Sequence, residues 1–143
     1  EELQGQIATL LGGRSAEEII FGKITTGASN DLQRATDLAE QMVGTYGMSD
    51  ILGPLAYDKQ GGGQFLGGGN NPRRELSDAT AQAIDKEVRS LVDDAHENAL
   101  NILKNNLSLL EDISQKILEK EVIEGDELIE MLGSSVMPEK VLN

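Results

Sequence analysis

The stretch Ser77–Asn105, SDATAQAIDKEVRSLVDDAHENALNILKN, decides the fold class. Within it Ile84, Val88, Leu91, Val92, Ala95, Ala99, Ile102 and Leu103 return at intervals that place them on one helical face. Ser77 stands where a hydroxyl can cap the first turn. The spacing predicts one long helix, about eight turns at 3.6 residues each, ending at Asn105 or Asn106.

Working outward, the same period recurs on both sides. Leu3, Ile7, Leu10 and Leu11 form a helical face within residues 1–21, and Ile19 and Ile20 resume it after Gly12-Gly13. A glycine pair costs up to about 2 kcal/mol inside a helix. Either the helix breaks there or a second backbone approaches closely. Gly22 is a helix stop. A second helix presents Leu32, Ala35, Ala39, Met42, Val43 and Tyr46, with Ser29 or Asn30 as its cap, Asp31 in its first turn and Gly47 closing it. Beyond the long helix, Ser108 caps one carrying Leu110, Ile113, Ile117 and Leu118. Asp126 caps a last short one with Leu128, Ile129 and Leu132, stopped by Gly133.

Only one region departs from this pattern. Gly53-Pro54 marks a turn, and Leu55-Ala56-Tyr57 and Gln64-Phe65-Leu66 flank Gly61-Gly62-Gly63, which predicts a small β-hairpin around residues 54–67. The expected architecture is therefore mainly α, a multi-helix domain over 1–133 with one small hairpin and a disordered tail over 134–143.

Composition narrows the function classes. The chain has 143 residues, the length of one domain, with 38% hydrophobic residues and little aromatic content, so its core is aliphatic. Twelve basic against 25 acidic residues give a net charge of −13, which argues against nucleic acid and against docking of this region on an anionic membrane. No cysteine is present, so disulfides, thiolate chemistry and Cys-ligated zinc are excluded. No apolar run is long enough to span a bilayer. The chain starts in mid-pattern without Met, as expected of a piece of something longer.

Few side chains suggest chemistry by spacing alone. The glycine clusters fit neither a phosphate-binding loop nor a dinucleotide fingerprint. Glu124-Gly125-Asp126-Glu127 has calcium-loop composition without the spacing. His96, the sole histidine, reads as a partly exposed helix residue. Asp31, behind Thr25-Thr26-Gly27-Ala28-Ser29-Asn30, reads first as a helix-terminus device. One carboxylate cannot make a hydrolytic zinc site, which takes three protein ligands.

Several segments, in order, resemble the protease domain of the FtsH family of membrane-anchored, ATP-dependent zinc metalloproteases. They are Leu11-Gly12-Gly13-Arg14-Ser15-Ala16-Glu17-Glu18-Ile19-Ile20-Phe21-Gly22, Thr25-Thr26-Gly27-Ala28-Ser29-Asn30-Asp31-Leu32, Tyr46-Gly47-Met48-Ser49, Leu52-Gly53-Pro54-Leu55 and Ile84-Asp85-Lys86-Glu87-Val88. The combination near residues 60–72 looks most like cyanobacterial or plastid members. The resemblance implies a zinc ion held by two histidines of a His-Glu-x-x-His helix and by the aspartate that ends the Thr-Gly-Ala-Ser-Asn-Asp string. That role carries over to Asp31. The motif glutamate serves as general base.

This chain contains no His-Glu-x-x-His. The resemblance places that helix before Glu1, together with the ATPase module that uses ATP and magnesium and the membrane spans. Glu17 and Glu18 are rival ligand candidates, expected to be structural or supporting. Protein substrates, a hexameric ring of identical subunits and a domain facing the cytoplasm or plastid stroma are further implications. These residues alone are expected neither to bind zinc tightly nor to cleave protein. The alternative is a non-catalytic helical interaction module or an inactive homologue.

Overall fold

The computed structural model describes residues 1–56 and 77–137. Five α-helices follow one another: α1 (Glu2–Phe21), α2 (Ser29–Glu40), α3 (Asp78–Asn105), α4 (Leu107–Lys120) and α5 (Gly125–Leu132). A 3₁₀ turn, Thr26–Ala28, leads into α2, and a π-helical segment, Gln41–Thr45, extends it.

Helix α1 runs without interruption through Gly12-Gly13. Neither expectation for that pair holds, because the helix does not break and a Cβ added at either glycine would meet nothing within 4 Å. Packing of the apolar face outweighs the poor local propensity. Ile7, Leu11 and Ser15 make the buried stripe of α1, one residue per turn. They face α3 and α2, and Ala35, Ala39, Met42 and Ala95 close the core around them, flanked by Leu3, Leu32, Val88, Leu91 and Val92. Small residues on α2 and α3 let the helix axes come close, so the larger Ile7 and Leu11 fill the space between them.

The expected long helix is α3, and Ser77 Oγ accepts the Thr80 N–H at 3.2 Å as its cap. Its end is a turn rather than a loop. Asn106 leaves helical geometry, and α4 starts at Leu107, so Ser108 lies inside that helix and does not cap it. Asp126 likewise sits in the first turn of α5, not at the cap position, which Glu124 occupies. The cap expected at Ser29 or Asn30 is supplied earlier: Thr25 Oγ1 accepts the Gly27 N–H at the head of the 3₁₀ turn.

The hairpin expected around residues 54–67 is not supported, and the fold class is corrected to helical alone among the described residues. No strand occurs among them. The described part of that region, Pro54-Leu55-Ala56, is irregular and folds back on the end of the π segment; the rest lies outside the described residues. The reason is local. Gly47 and Gly53 both adopt left-handed φ, 61° and 73°, and a Cβ on Gly47 would come within 3.3 Å of the Leu55 N and O. Glycine permits this close approach of Gly47 to Pro54 and Leu55, and the stretch so placed follows an irregular path. The π segment serves the same junction, since its wider turn buries Met42, Val43 and Gly44 in succession.

Candidate functional site

Gly22 ends α1 with φ 62° and its N–H on the Glu18 carbonyl, a left-handed cap that reverses the chain. The reversal carries Thr25 back over the last turns of α1. There Glu17 receives it on both oxygens. The Thr25 N–H donates to Glu17 Oε2 at 3.0 Å, and Thr25 Oγ1 lies 2.9 Å from Oε1 and 3.0 Å from Oε2. These hydrogen bonds, from the backbone first and the hydroxyl second, hold the Glu17 carboxyl below the usual carboxylate range, with Arg14 adding a smaller pull. The Thr25 hydroxyl also accepts the Gly27 N–H, and the Ser29 N–H donates to the Thr26 carbonyl. A continuous run of hydrogen bonds thus leads from α1 to the start of α2.

Asp31 stands in the first turn of α2, as the spacing predicted. Its side chain is 48% exposed and pairs with Arg34 Nη1 at 3.8 Å, one turn along. An exposed pair of this length contributes little to stability. A carboxylate so placed offers one anionic oxygen of the type zinc accepts. It is one donor, and among the described residues no group of three His, Cys, Asp or Glu side chains could hold a metal ion. Asp31 fits zinc as a single member of a shared ligand set, not as a site in itself. Glu17 is occupied by Thr25, and Glu18 by a different partner.

That partner is His96. Its Nε2 lies 3.0 Å from Glu18 Oε2, and its Nδ1 lies 3.2 Å from Ser15 Oγ. The trio superficially matches a serine hydrolase. Ser15 is completely buried, however, and its hydroxyl donates to the Leu11 carbonyl at 2.8 Å, so no substrate can reach it. The expectation of a partly exposed helix residue holds for His96, whose side chain is 28% exposed, but it is also a clamp between α1 and α3. Sequence reading missed both this clamp and the Glu17–Thr25 contact. Ser15 and Glu18 are three apart on one helix face, a legible signal. Which residue they meet, 78 to 81 positions away, is set only by packing.

Similarity to known proteins settles the lineage. Residues 1–131 match peptidase family M41. The chain belongs to that family. It is 65% identical over 138 residues to the ATP-dependent zinc metalloprotease FtsH 4 of Synechocystis sp., which covers 96% of this chain and 22% of that protein. The ATP-dependent zinc metalloprotease FtsH of Acaryochloris marina is 54% identical over 137 residues, 96% of this chain and 21% of its own length. The protein of the same name from Bacillus subtilis is 43% identical over 140 residues, 97% of the chain and 22% of the relative. The M41 chain therefore spans about a fifth of the length of these curated relatives. Among its described residues no helix is long and apolar enough to cross a membrane.

Proposed function

We propose that these residues form the C-terminal, helical part of the peptidase domain of an ATP-dependent zinc metalloendopeptidase, with Asp31 as one zinc ligand. Three things support the reading: family membership over residues 1–131, relatives whose names specify zinc and ATP dependence, and a half-exposed carboxylate at the start of α2. The last observation carries the assignment. Glu17 and Glu18, the rival ligands, already have protein partners, whereas Asp31 has only a long, solvent-exposed contact with Arg34.

In this reading the remaining ligands are two histidines of a His-Glu-x-x-His helix in another part of the polypeptide. Bound zinc would supply Lewis acidity and lower the pKa of a coordinated water towards neutrality. The chain's own contribution is positional. Asp31 brings a negative oxygen on the start of α2, and α1 and α3, joined to each other by the His96 clamp, hold α2 in place through the core. ATP and magnesium act in a separate module, protein substrates are delivered from it, and the parent is a membrane-anchored homohexamer with this domain facing the cytoplasm or plastid stroma. The segment 1–133 is the domain portion.

Asp31→Asn in the full-length protein tests the assignment. Zinc content and hydrolysis of a casein substrate should both fall to background. Retention of zinc and of activity by that variant removes Asp31 from the site. The 143 residues by themselves should show neither proteolysis nor sub-micromolar zinc affinity, the second measured by chelator competition.

A further inference from the structure

The Glu17–Thr25 contact is placed where it can act on Asp31 without touching the metal. Thr25 is exposed and sits in the connection between α1 and the 3₁₀ turn, which holds no buried residue. Residues 22–27 are all exposed, so the path of this connection is not set by core packing. What fixes it is polar. Three Thr25–Glu17 distances of 2.9–3.0 Å tie its centre to α1. The Gly27 N–H on Thr25 Oγ1, at 3.3 Å, passes that restraint to the turn that opens α2. Because Glu17 belongs to the helix that carries the core stripe, the anchor itself is rigid.

We propose that the Glu17–Thr25 latch is a positioning device that holds the first turn of α2, and with it the Asp31 carboxylate, in the geometry a zinc ligand needs. This rests on the reading of Asp31 given above. Neither residue coordinates the ion. Thr25 is the more telling of the two, because an exposed threonine in a loop has no packing role to confuse with its hydrogen bonds. Groups that orient ligands from outside the coordination sphere cost about 10–100-fold in metal affinity when removed. A latch acting through one further turn belongs at the lower end, about tenfold.

The test uses the full-length protein with zinc, and with cobalt in its place for the absorption spectrum. Thr25→Val keeps the shape and deletes the hydroxyl, Thr25→Ser keeps the hydroxyl, and Glu17→Gln weakens both Thr25 contacts. Thr25→Val and Glu17→Gln should weaken zinc binding about tenfold and alter the cobalt bands, while Thr25→Ser stays within about twofold of the parent. Unchanged affinity and spectrum in both Thr25→Val and Glu17→Gln overturn the latch. Loss of metal in Glu17→Gln with a silent Thr25→Val also overturns it, since Glu17 would then be a ligand. Asp31→Asn, measured alongside, separates the two levels. If it keeps its zinc, the ligand assignment has failed; if it loses zinc while the latch variants do not, only the latch has.

Discussion

Helices α1, α2 and α3 and the pair α4–α5 are built on opposite terms. Every buried apolar side chain among the described residues belongs to α1, α2 with its π extension, or α3. Neither α4 nor α5 contains a buried residue, and Leu118, Ile129 and Leu132 are exposed at 78%, 69% and 45%. The two short helices are linked by charge as well: Lys116 Nζ lies 2.6 Å and Lys120 Nζ 3.0 Å from Glu127 Oε1. Asn106 adds a polar tie, with its side chain donating to the Ile102 and Val136 carbonyls and accepting the Val136 N–H. One region is fixed by fully buried apolar side chains, while the other combines half-buried ones such as Leu110, Ile113 and Leu128 with polar contacts near the surface. The first suits a rigid platform, and the second suits an appendage.

Breaking the core should give the largest effect. Leu11→Ala removes a fully buried side chain and is expected to lower unfolding stability by about 3 kcal/mol in urea titrations. The matched change Leu118→Ala on α4 should stay within about 0.5 kcal/mol of the parent. Equal losses would show that α4 is as much a part of the core as α1. Next comes the clamp. His96→Ala deletes the contacts to Ser15 and Glu18 and should cost about 1–2 kcal/mol, since a hydrogen bond to a carboxylate is lost while Ser15 keeps its bond to Leu11. A neutral result would make the clamp incidental.

The smallest effects belong to the charged link and sharpen the contrast by their pH dependence. Lys116 first and Lys120 second hold the Glu127 carboxyl below its ordinary value of 4.5. A lowered carboxylate pKa means that the link is intact above 4.5 and fades as pH falls through the lower folded value. Lys116, raised by the hydrogen bond to Glu127, keeps its half of the link below 10.5 and loses it as pH rises past the higher folded value. Amide protection factors in α5 should therefore be flat from about pH 5 to 10 and drop on either side, with those of α1 unmoved by this link. Glu127→Gln should flatten the profile. A parent α5 protected as strongly as α1 and indifferent to pH would erase the distinction between the two regions.

The helices were legible because their signal is periodic and local. The 28-residue α3 could be read from its apolar spacing and Ser77, and α1 from Leu3, Ile7 and Leu11. Where the reading failed, local propensity met a tertiary term. Gly12-Gly13 looked like a break or a contact and is neither, because the helix is paid for by its packed face. The hairpin expected over 54–67 rested on two short apolar runs about Gly61-Gly62-Gly63, which lie outside the described residues apart from Leu55-Ala56, and the described stretch Pro54-Leu55-Ala56 is irregular where it comes close to Gly47. Caps were misassigned by a few residues at α2, α4 and α5, where side-chain chemistry permits several starts and the surrounding chain selects one.

By itself, the sequence determined the mainly helical pattern and the family resemblance, and it singled out Asp31 as the carboxylate proposed for the metal, since periodicity and motif strings lie in consecutive residues. Only the tertiary structure decided which polar groups meet. That Glu17 receives Thr25, that Glu18 turns to His96, and that Ser15 is sealed rather than reactive depend on how α1 lies against α3 and on the reversal at Gly22. Contacts across eight or eighty residues follow from the packing of apolar faces, which leaves no periodic trace in the polar residues it brings together.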